Sequence, residues 1–246
     1  MFVDVHCHAE MLEELDLLVK QCVSEGTKKI VSCSVDLNSM KQNLEIAKNF
    51  DEITCCLGLH PSNVLLMKEK EIKQGTEFLE KNLFSAKAIG EIGIDFKHAE
   101  SEEKKQRQIK VYMQQLKIAE ENNFPVVVHS RYAERKSLEI LSSFNGKVLL
   151  HWFDGNKQAI KTGIERNYFF SVGPAVLFNA SYLEKASMIP LENLMLETDS
   201  PVEFNGKKAK PFWVKRVAEK ISEKKGIELK ETEQKTTRNA EEFFSL

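Results

Sequence analysis

The chain has 246 residues, of which 42% are hydrophobic and 29% are charged, and its formal net charge is −2 at pH 7. This charge excludes a protein that coats nucleic acid through overall positive charge, so an anionic partner must be held by a local basic patch or by metal. The five cysteines lie mostly in apolar runs, and there is no signal-peptide pattern or membrane-length apolar segment, which predicts reduced thiols in a cytoplasmic protein without a membrane partner.

Short runs of β-forming residues alternate with longer segments of helical periodicity from one end of the chain to the other. The eight predicted strands span residues 2–8, 28–35, 53–60, 86–95, 125–131, 147–153, 168–176 and 193–201. The predicted helices span residues 10–25, 38–50, 64–83, 101–124, 132–144, 155–166, 180–188, 211–225 and 232–244. The pattern is therefore that of an α/β protein with a parallel sheet.

Two folds fit eight strands that alternate with helices: a (β/α)8 TIM barrel and a doubly wound open sheet. A doubly wound sheet would be expected to carry a glycine-rich phosphate loop after its first strand. The first strand here is followed by HCHAEML, which contains no glycine. We therefore predict the TIM barrel, and because no linker or repeat marks a boundary, a single domain over residues 1–246.

Histidines and carboxylates recur near the C-terminal ends of the predicted strands. In the opening stretch MFVDVHCHAE, His6 and His8 are two residues apart, so they point to the same face of the first strand. Further residues of these types occupy the same position in later strands, and in a closed barrel all these strand ends meet at one mouth. The converging residues are His6, His8, Glu91, His129, His151 and Asp199.

A metal centre is the interpretation that this set favours. Taken alone, His6 and His8 are equally consistent with hydrogen-bonded core histidines, and an ion-pair network would use arginine and lysine, which are sparse at these strand ends. Imidazole nitrogen and carboxylate oxygen suit Zn, Mn, Fe, Co or Ni better than they suit Mg or Ca, which prefer all-oxygen cages. Six ligands exceed the need of one tetrahedral ion, so we expect two divalent metal ions that share a carboxylate, with Zn, Mn and Mg as candidates.

Four further features carry weaker predictions. Asp4 shares the face of His6 and His8, and Glu197 stands in the same relation to Asp199, so each either orients a neighbouring ligand or is a plain buried hydrogen-bonding group. Arg131 shares the face of His129, where it either grips an anion beside the metals or is a surface cation. The lysines that follow the last strand form a small basic cluster near the expected mouth, although most such clusters are merely solvated: Lys207, Lys208 and Lys210.

The sequence resembles the TatD family of metal-dependent deoxyribonucleases, which lies within the wider group of amidohydrolase-like barrels. The likeness runs from residue 2 to about residue 244 and rests on several motifs in a fixed order. These motifs are FVDVHCHA, GLHP, GEIGID, PVVVHSR, HWFDG and ETDSP.

The resemblance implies a role for each candidate residue. His6 and His8 would hold one metal, His129 and His151 the second, and Glu91 would bridge the two. Asp199 would bind metal and serve as the base, and His60, in GLHP, would contact substrate phosphate. Together with the residue pattern, this predicts a nuclease that cuts DNA phosphodiesters with water whose pKa two cations lower from 15.7 toward about 7.

Two departures from the family pattern concern substrate binding. After ETDSP the family usually has Arg-Gly-x-x-Asn-x-Pro, whereas this chain has NGKKAKP, with Asn205 and Ala209 in place of the arginine and the asparagine. His151 is followed by WFDG, where the family commonly has a small residue before the glycine. Two alternatives therefore stay open: an amidohydrolase-type esterase, lactonase or deaminase acting on a small molecule, and a metal-holding barrel that only binds a partner.

Overall fold

The computed structural model describes all 246 residues, and eight parallel strands form one sheet in chain order. These strands are β1 (Phe2–Cys7), β2 (Thr27–Cys33), β3 (Ile53–Leu57), β4 (Ala88–Asp95), β5 (Val126–Arg131), β6 (Val148–Leu150), β7 (Phe169–Val172) and β8 (Leu194–Leu196). Each lies within a predicted strand or begins one residue before it, so the predicted (β/α)8 barrel is confirmed.

Ten α-helices lie between or after these strands. They are α1 (Leu15–Ser24), α2 (Leu37–Asn49), α3 (Pro61–Val64), α4 (Glu69–Asn82), α5 (Glu102–Glu121), α6 (Glu134–Ile140), α7 (Lys157–Glu165), α8 (Ala180–Ser187), α9 (Val214–Lys225) and α10 (Leu229–Phe244). Single 3-10 turns occupy Ala9–Met11, Leu83–Ser85, Leu141–Ser143, Pro174–Leu177, Leu191–Asn193 and Pro211–Trp213. None of the helices combines the length and the apolar character needed to cross a membrane.

The sheet closes between β8 and β1 through the residues that follow β8. The backbone N–H of Asp199 donates to the carbonyl of His6 at 2.9 Å, and the N–H of His8 donates to the carbonyl of Ser200 at 2.8 Å. Cys7 and Ser200 form a parallel bridge. This closure brings the ETDSP segment beside the HCH segment, although almost 200 residues separate them in the chain.

A small apolar layer fills the lower interior of the barrel. Buried residues from seven of the eight strands form one cluster with Phe243 and Phe244 of α10: Val3, Val5, Val31, Cys33, Cys56, Ala88, Val127, Leu149 and Met195. Because side chains alternate along a strand, His129 and His151 lie on the same face as Val127 and Leu149, one step nearer the C-terminal end. The polar site therefore lies above a packed layer, as is usual for this architecture.

A two-stranded hairpin that was not predicted follows β8. Strand β9 (Glu203–Phe204) pairs antiparallel with β10 (Lys207–Lys208). The two residues between them, Asn205 and Gly206, have φ angles of 50° and 75°. Asn-Gly is the preferred pair for a two-residue turn of this kind, because both positions need positive φ. The Asn-Gly pair in NGKK was a signal for the turn. The strands on either side have only two residues, which is too short to show the alternation of apolar and polar residues that predicts a strand.

Gly93 is required where β4 passes β5, and its replacement should destabilise the barrel. Its φ is 137°, and a Cβ there would lie 2.0 Å from the carbonyl oxygen of His129. We expect Gly93→Ala to lower the free energy of unfolding by roughly 3 kcal/mol, about 10 °C in melting temperature. Gly26→Ala is the matched control, because Gly26 also has positive φ (93°) but has nothing within 4 Å of the added carbon. Thermal melts that show equal losses for both variants would contradict the close approach.

Candidate metal centre

The structure brings all six predicted ligands to the C-terminal mouth of the barrel. Glu91 and His129 lie within β4 and β5, His6 lies in β1, and the other three follow their strands by one to three residues. The least exposed is His6, at 0%, and His8 and Asp199 are each only 9% exposed. Residues scattered over almost 200 positions of sequence therefore share one cluster, in which His129 is partly buried and the other five are buried.

Glu91 lies between two groups of histidines, and each of its carboxylate oxygens faces one group. Its Oε2 lies 3.4 Å from Nε2 of His6 and 3.8 Å from Nε2 of His8. Its Oε1 lies 2.6 Å from Nδ1 of His129 and 3.5 Å from Nε2 of His151. A carboxylate with one oxygen toward each group is the arrangement that a bridging ligand requires.

Asp199 belongs to the His6 and His8 side of the cluster. Its Oδ1 lies 3.3 Å from Nε2 of His8 and 3.6 Å from Nε2 of His6. The φ of Asp199 is 50°, in the left-handed region that aspartate adopts more readily than most residues. The carboxylate also lines the cavity that opens from the centre, so it is accessible to a substrate.

Hydrogen bonds on the far side of two imidazoles hold these rings toward Glu91 and Asp199. Nδ1 of His8 lies 2.9 Å from the carbonyl oxygen of Cys33, and Nδ1 of His151 lies 2.8 Å from Oε2 of Glu197. Partners of this kind fix the tautomer and the orientation of metal-binding histidines. Glu197 thus orients a predicted ligand, His151. Its position two residues before Asp199 did not indicate which ligand this would be.

Asp95 lies beside the centre but was not among the residues predicted from the strand ends. Its Oδ2 lies 3.3 Å from Nε2 of His129 and 2.9 Å from Nδ1 of His98. The available signal was the last letter of GEIGID, because Asp95 ends β4 four residues after Glu91 and so shares its face. His98, a half-exposed histidine in the loop after β4, contacts the same carboxylate.

Asp4 does not contact a ligand ring. Its carboxylate accepts hydrogen bonds from the backbone N–H of His6 at 3.3 Å and from that of Thr198 at 2.9 Å. Burial raises the pKa of Asp4 well above its usual value, against the effect of the Thr198 hydrogen bonds. Of the two alternatives for Asp4, the structure favours the buried hydrogen-bonding group, which ties β1 to the segment after β8.

The carboxylates of the cluster favour positive charge on the residues around them. Burial alone would lower the pKa of His151, but Glu197 and then Glu91 raise it to about 10. In the same way, burial opposes the hydrogen bond and the charge of Asp199, which raise the pKa of His8 to about 9. Burial and His151 lower the pKa of His6, so this ring stays neutral and able to bind a cation.

The residues present fit the metal ions that the motif pattern implies. Both ring nitrogens of His6 are buried and have no hydrogen-bond partner within the protein, an arrangement that costs free energy unless a ligand satisfies them. Three sets of side chains have donor atoms within 4.8 Å of one another: His6, His151 and Asp199; His6, His8 and Glu91; and His60, Glu91 and His129. Imidazole and carboxylate together are suitable donors for a transition-metal ion.

The two predicted substrate residues lie at the edge of this centre. Nε2 of His60 lies 3.5 Å from Oε1 of Glu91, and its Nδ1 accepts a hydrogen bond from the backbone N–H of Ser62 at the start of α3. Arg131 is exposed at the end of β5 and lines, together with His129 and His151, a cavity of about 460 Å³. Arg131 is thus both an exposed cation and a neighbour of the ligands, and its role in binding an anion stays a prediction.

The predicted lysine cluster is separated from this cavity. Lys208 and Lys210 line a second depression of about 220 Å³ beside α1. Nζ of Lys208 lies 3.4 Å from a carboxylate oxygen of Glu13, and Nζ of Lys210 lies 5.9 Å from the ring centre of Phe212. Neither lysine is among the residues that line the cavity beside the ligands, and Lys207 is exposed on β10. A role for this cluster in binding an anion stays a prediction.

Comparisons with known proteins place the whole chain in one family and one fold. The family model described as TatD related DNase matches residues 3–245. A human relative named deoxyribonuclease TATDN3 is 30% identical, with 98% of this chain and 94% of that protein covered. A Bacillus subtilis relative, named as an uncharacterized metal-dependent hydrolase, YabD, is 28% identical over the full length of both chains. The crystal structure of the TatD homolog YJJV from Escherichia coli superimposes with a TM-score of 0.90 at 24% identity, with 100% of this chain and 98% of that chain covered.

Proposed function

The chain belongs to the TatD family of metal-dependent hydrolases, and from this membership and the geometry of the centre we propose that it cleaves phosphodiester bonds of DNA. That it is a hydrolase acting on ester bonds follows from the family. The observation that carries the proposal further is the position of Glu91, whose two oxygens face separate histidine groups. A two-ion site of this kind suits the hydrolysis of phosphate esters.

The ligands would divide between two ions according to the oxygen of Glu91 that they face. His6, His8 and Asp199 would hold the first ion, His129 and His151 the second, and Glu91 both. When bound, two divalent cations lower the pKa of water and offset the charge that develops on the phosphoryl oxygens. Zn and Mn suit this donor set, and Mg remains a third candidate.

The protein's own residues then move the proton and hold the substrate. Asp199, at the edge of the cavity, accepts the proton of the attacking water and later delivers it to the leaving oxygen. His60 and Arg131 hold the phosphate and position it without reading the base sequence. Glu197 and Asp95 keep His151 and His129 in place throughout.

An assay of the purified protein on single-stranded and duplex DNA tests the proposal. Mg, Mn and Zn are supplied separately, and a chelator is the negative control. We expect cleavage with at least one metal and none with the chelator. If no metal supports cleavage of DNA while a small ester or lactone is hydrolysed, the enzyme is instead a small-molecule hydrolase. Stoichiometric metal without turnover of any substrate would indicate the binding barrel.

Arg131→Ala should weaken DNA binding because the guanidinium is the exposed cation beside the ligands. Hydrogen bonds to charged groups contribute about 1.5–3 kcal/mol, so we expect KM for single-stranded DNA to rise at least tenfold with little change in kcat. The slope of log KM against log salt concentration should be smaller than in the wild type by about 0.7, because one neutralised phosphate of a single strand contributes this amount. Arg166→Ala is the matched control, because Arg166 is equally exposed but follows α7 at the opposite end of the barrel. Equal KM values for the two variants would remove Arg131 from the binding site.

Cytoplasmic location and the single domain stay predictions.

A further inference from the structure

Three aromatic side chains form a strip that begins beside the metal centre and runs outward. Trp152 directly follows His151, and its ring meets the His151 ring edge-on with centroids 6.4 Å apart. The ring of Phe204, on the hairpin, lies 5.6 Å from that of Trp152, and the ring of Phe178 lies 5.9 Å from Phe204 at an interplanar angle of 17°. We call Trp152, Phe204 and Phe178 the aromatic strip.

The strip is open to solvent. Phe178 is 45% exposed, Trp152 and Phe204 are partly buried, and Trp152 lines the same cavity as Asp199 and Arg131. Trp152 also has a φ of 38°, which is rare for a bulky side chain and is retained mainly where a position serves a purpose beyond packing. The rings therefore form one exposed apolar surface that is continuous with the reaction site.

Packing of the hairpin accounts for only part of this arrangement. The contact between Phe204 and Trp152 holds β9 against the loop after β6, which is a structural role. It does not require Phe178 to present almost half of its surface to water beyond Phe204. Exposed apolar surface that adjoins a functional cavity usually marks a binding site.

We propose that the aromatic strip stacks nucleobases of single-stranded DNA next to the phosphate that is cleaved. This inference rests on the proposed nuclease function and names how the substrate is held. An aromatic ring accepts every base, because every base has a π-face, so the strip would add affinity without sequence preference. Bases inside a duplex are already paired and stacked, so an unpaired segment or end of the strand is the form that can reach these rings.

The positions of Arg131 and the aromatic strip allow one to hold phosphate and the other to hold bases. Arg131 lies on the cavity wall formed by the end of β5, whereas Trp152 follows β6 and the rest of the strip extends away along the hairpin and the segment before α8. Phosphate and base can therefore be held by different walls of the same opening. Removal of an aromatic ring should then affect only substrates that carry a base at that position.

The test combines variants of the strip with substrates that lack bases. Phe204→Leu and Phe178→Leu remove a ring and keep an apolar side chain, and Phe204→Tyr keeps the ring. Phe84→Leu is the matched control, because Phe84 is 81% exposed and precedes β4 at the other end of the barrel. The substrates are an oligothymidylate and an oligomer of equal length in which abasic residues replace every nucleotide. Thermal melts of every variant check that it is folded.

For the oligothymidylate we expect Phe204→Leu and Phe178→Leu to raise KM about five- to tenfold, in proportion to the loss of one stacked base. Phe204→Tyr and Phe84→Leu should leave KM within twofold of the wild type. For the abasic oligomer the leucine variants and the wild type should have similar KM values, because the contact is already absent.

Two results would overturn the inference, and they are distinguishable from each other. If the wild type cleaves DNA but both leucine variants keep its KM, or lose affinity equally for the two substrates, the strip does not stack bases and the nuclease function stands. If the wild type cleaves no DNA with any metal, the proposed function itself fails, and the strip loses its assigned ligand with it.

Discussion

Replacement of Glu91 by alanine is expected to abolish turnover and to lower the metal content while the barrel stays folded. Glu91 is the one carboxylate that faces both histidine groups, so if two ions are bound as proposed, its loss would remove a ligand from each. We expect a fall in kcat of roughly a thousandfold or more, the size seen when a main source of charge stabilisation is removed. Elemental analysis of the dialysed protein should show less than the wild-type amount of metal.

The fold should survive this change because the apolar layer that includes Val127 and Leu149 lies below the site. Glu91→Gln is the companion variant, since it keeps the side-chain volume and one carbonyl oxygen but loses the charge. A partial retention of metal in Glu91→Gln and a larger loss in Glu91→Ala would support the bridging position. Wild-type metal content together with wild-type activity in Glu91→Ala would disprove it.

Asp199→Asn should separate proton transfer from metal binding. The amide oxygen could still serve as a ligand beside His6 and His8, but it cannot accept the proton of the attacking water. We expect kcat for DNA to fall by about 10²–10⁴-fold, the usual contribution of general-base catalysis, with a much smaller change in KM. Metal content, measured in the same preparation, should stay above that of Glu91→Ala.

The control for Asp199→Asn is a carboxylate in the same cavity with no part in the reaction. Asp154 lines this cavity, and Nζ of Lys185 lies 2.7 Å from its Oδ1. Asp154→Asn therefore removes a comparable charge without touching the centre, and its kcat should stay within a few-fold of the wild type. A similar fall in both variants would mean that the general charge of the cavity, and not the position of Asp199, controls the rate.

The barrel and the residues of its mouth were accessible from sequence because each signal is local. An apolar run that ends in histidine or a carboxylate can be read within ten residues, as in PVVVHSR and ETDSP, and the barrel architecture then implies that such ends meet. His129 and Asp199 were found in this way, and the structure places both beside Glu91 or His8. Their assignment as metal ligands stays a prediction that metal analysis can test.

The partners of these residues were not accessible, because each depends on which strands face each other across the mouth. Glu197 contacts His151 across 46 residues of chain, and Asp95 contacts His129 across 34. Neither contact can be predicted from a local pattern, because each depends on the register of several strands and on the closure of the sheet. The same holds for Lys207 and Lys208, whose position depends on a hairpin with strands of only two residues.

By itself, then, the sequence determined the fold class and the chemical types that gather at the mouth, because periodicity and strand-end residues are properties of short segments. Only the tertiary structure shows which oxygen of Glu91 faces which histidine. Only the tertiary structure shows that Trp152, Phe204 and Phe178 lie next to one another. The physical reason is that a closed sheet joins distant segments at angles fixed by strand stagger and loop conformation. These quantities arise only from the packing of all eight strands together.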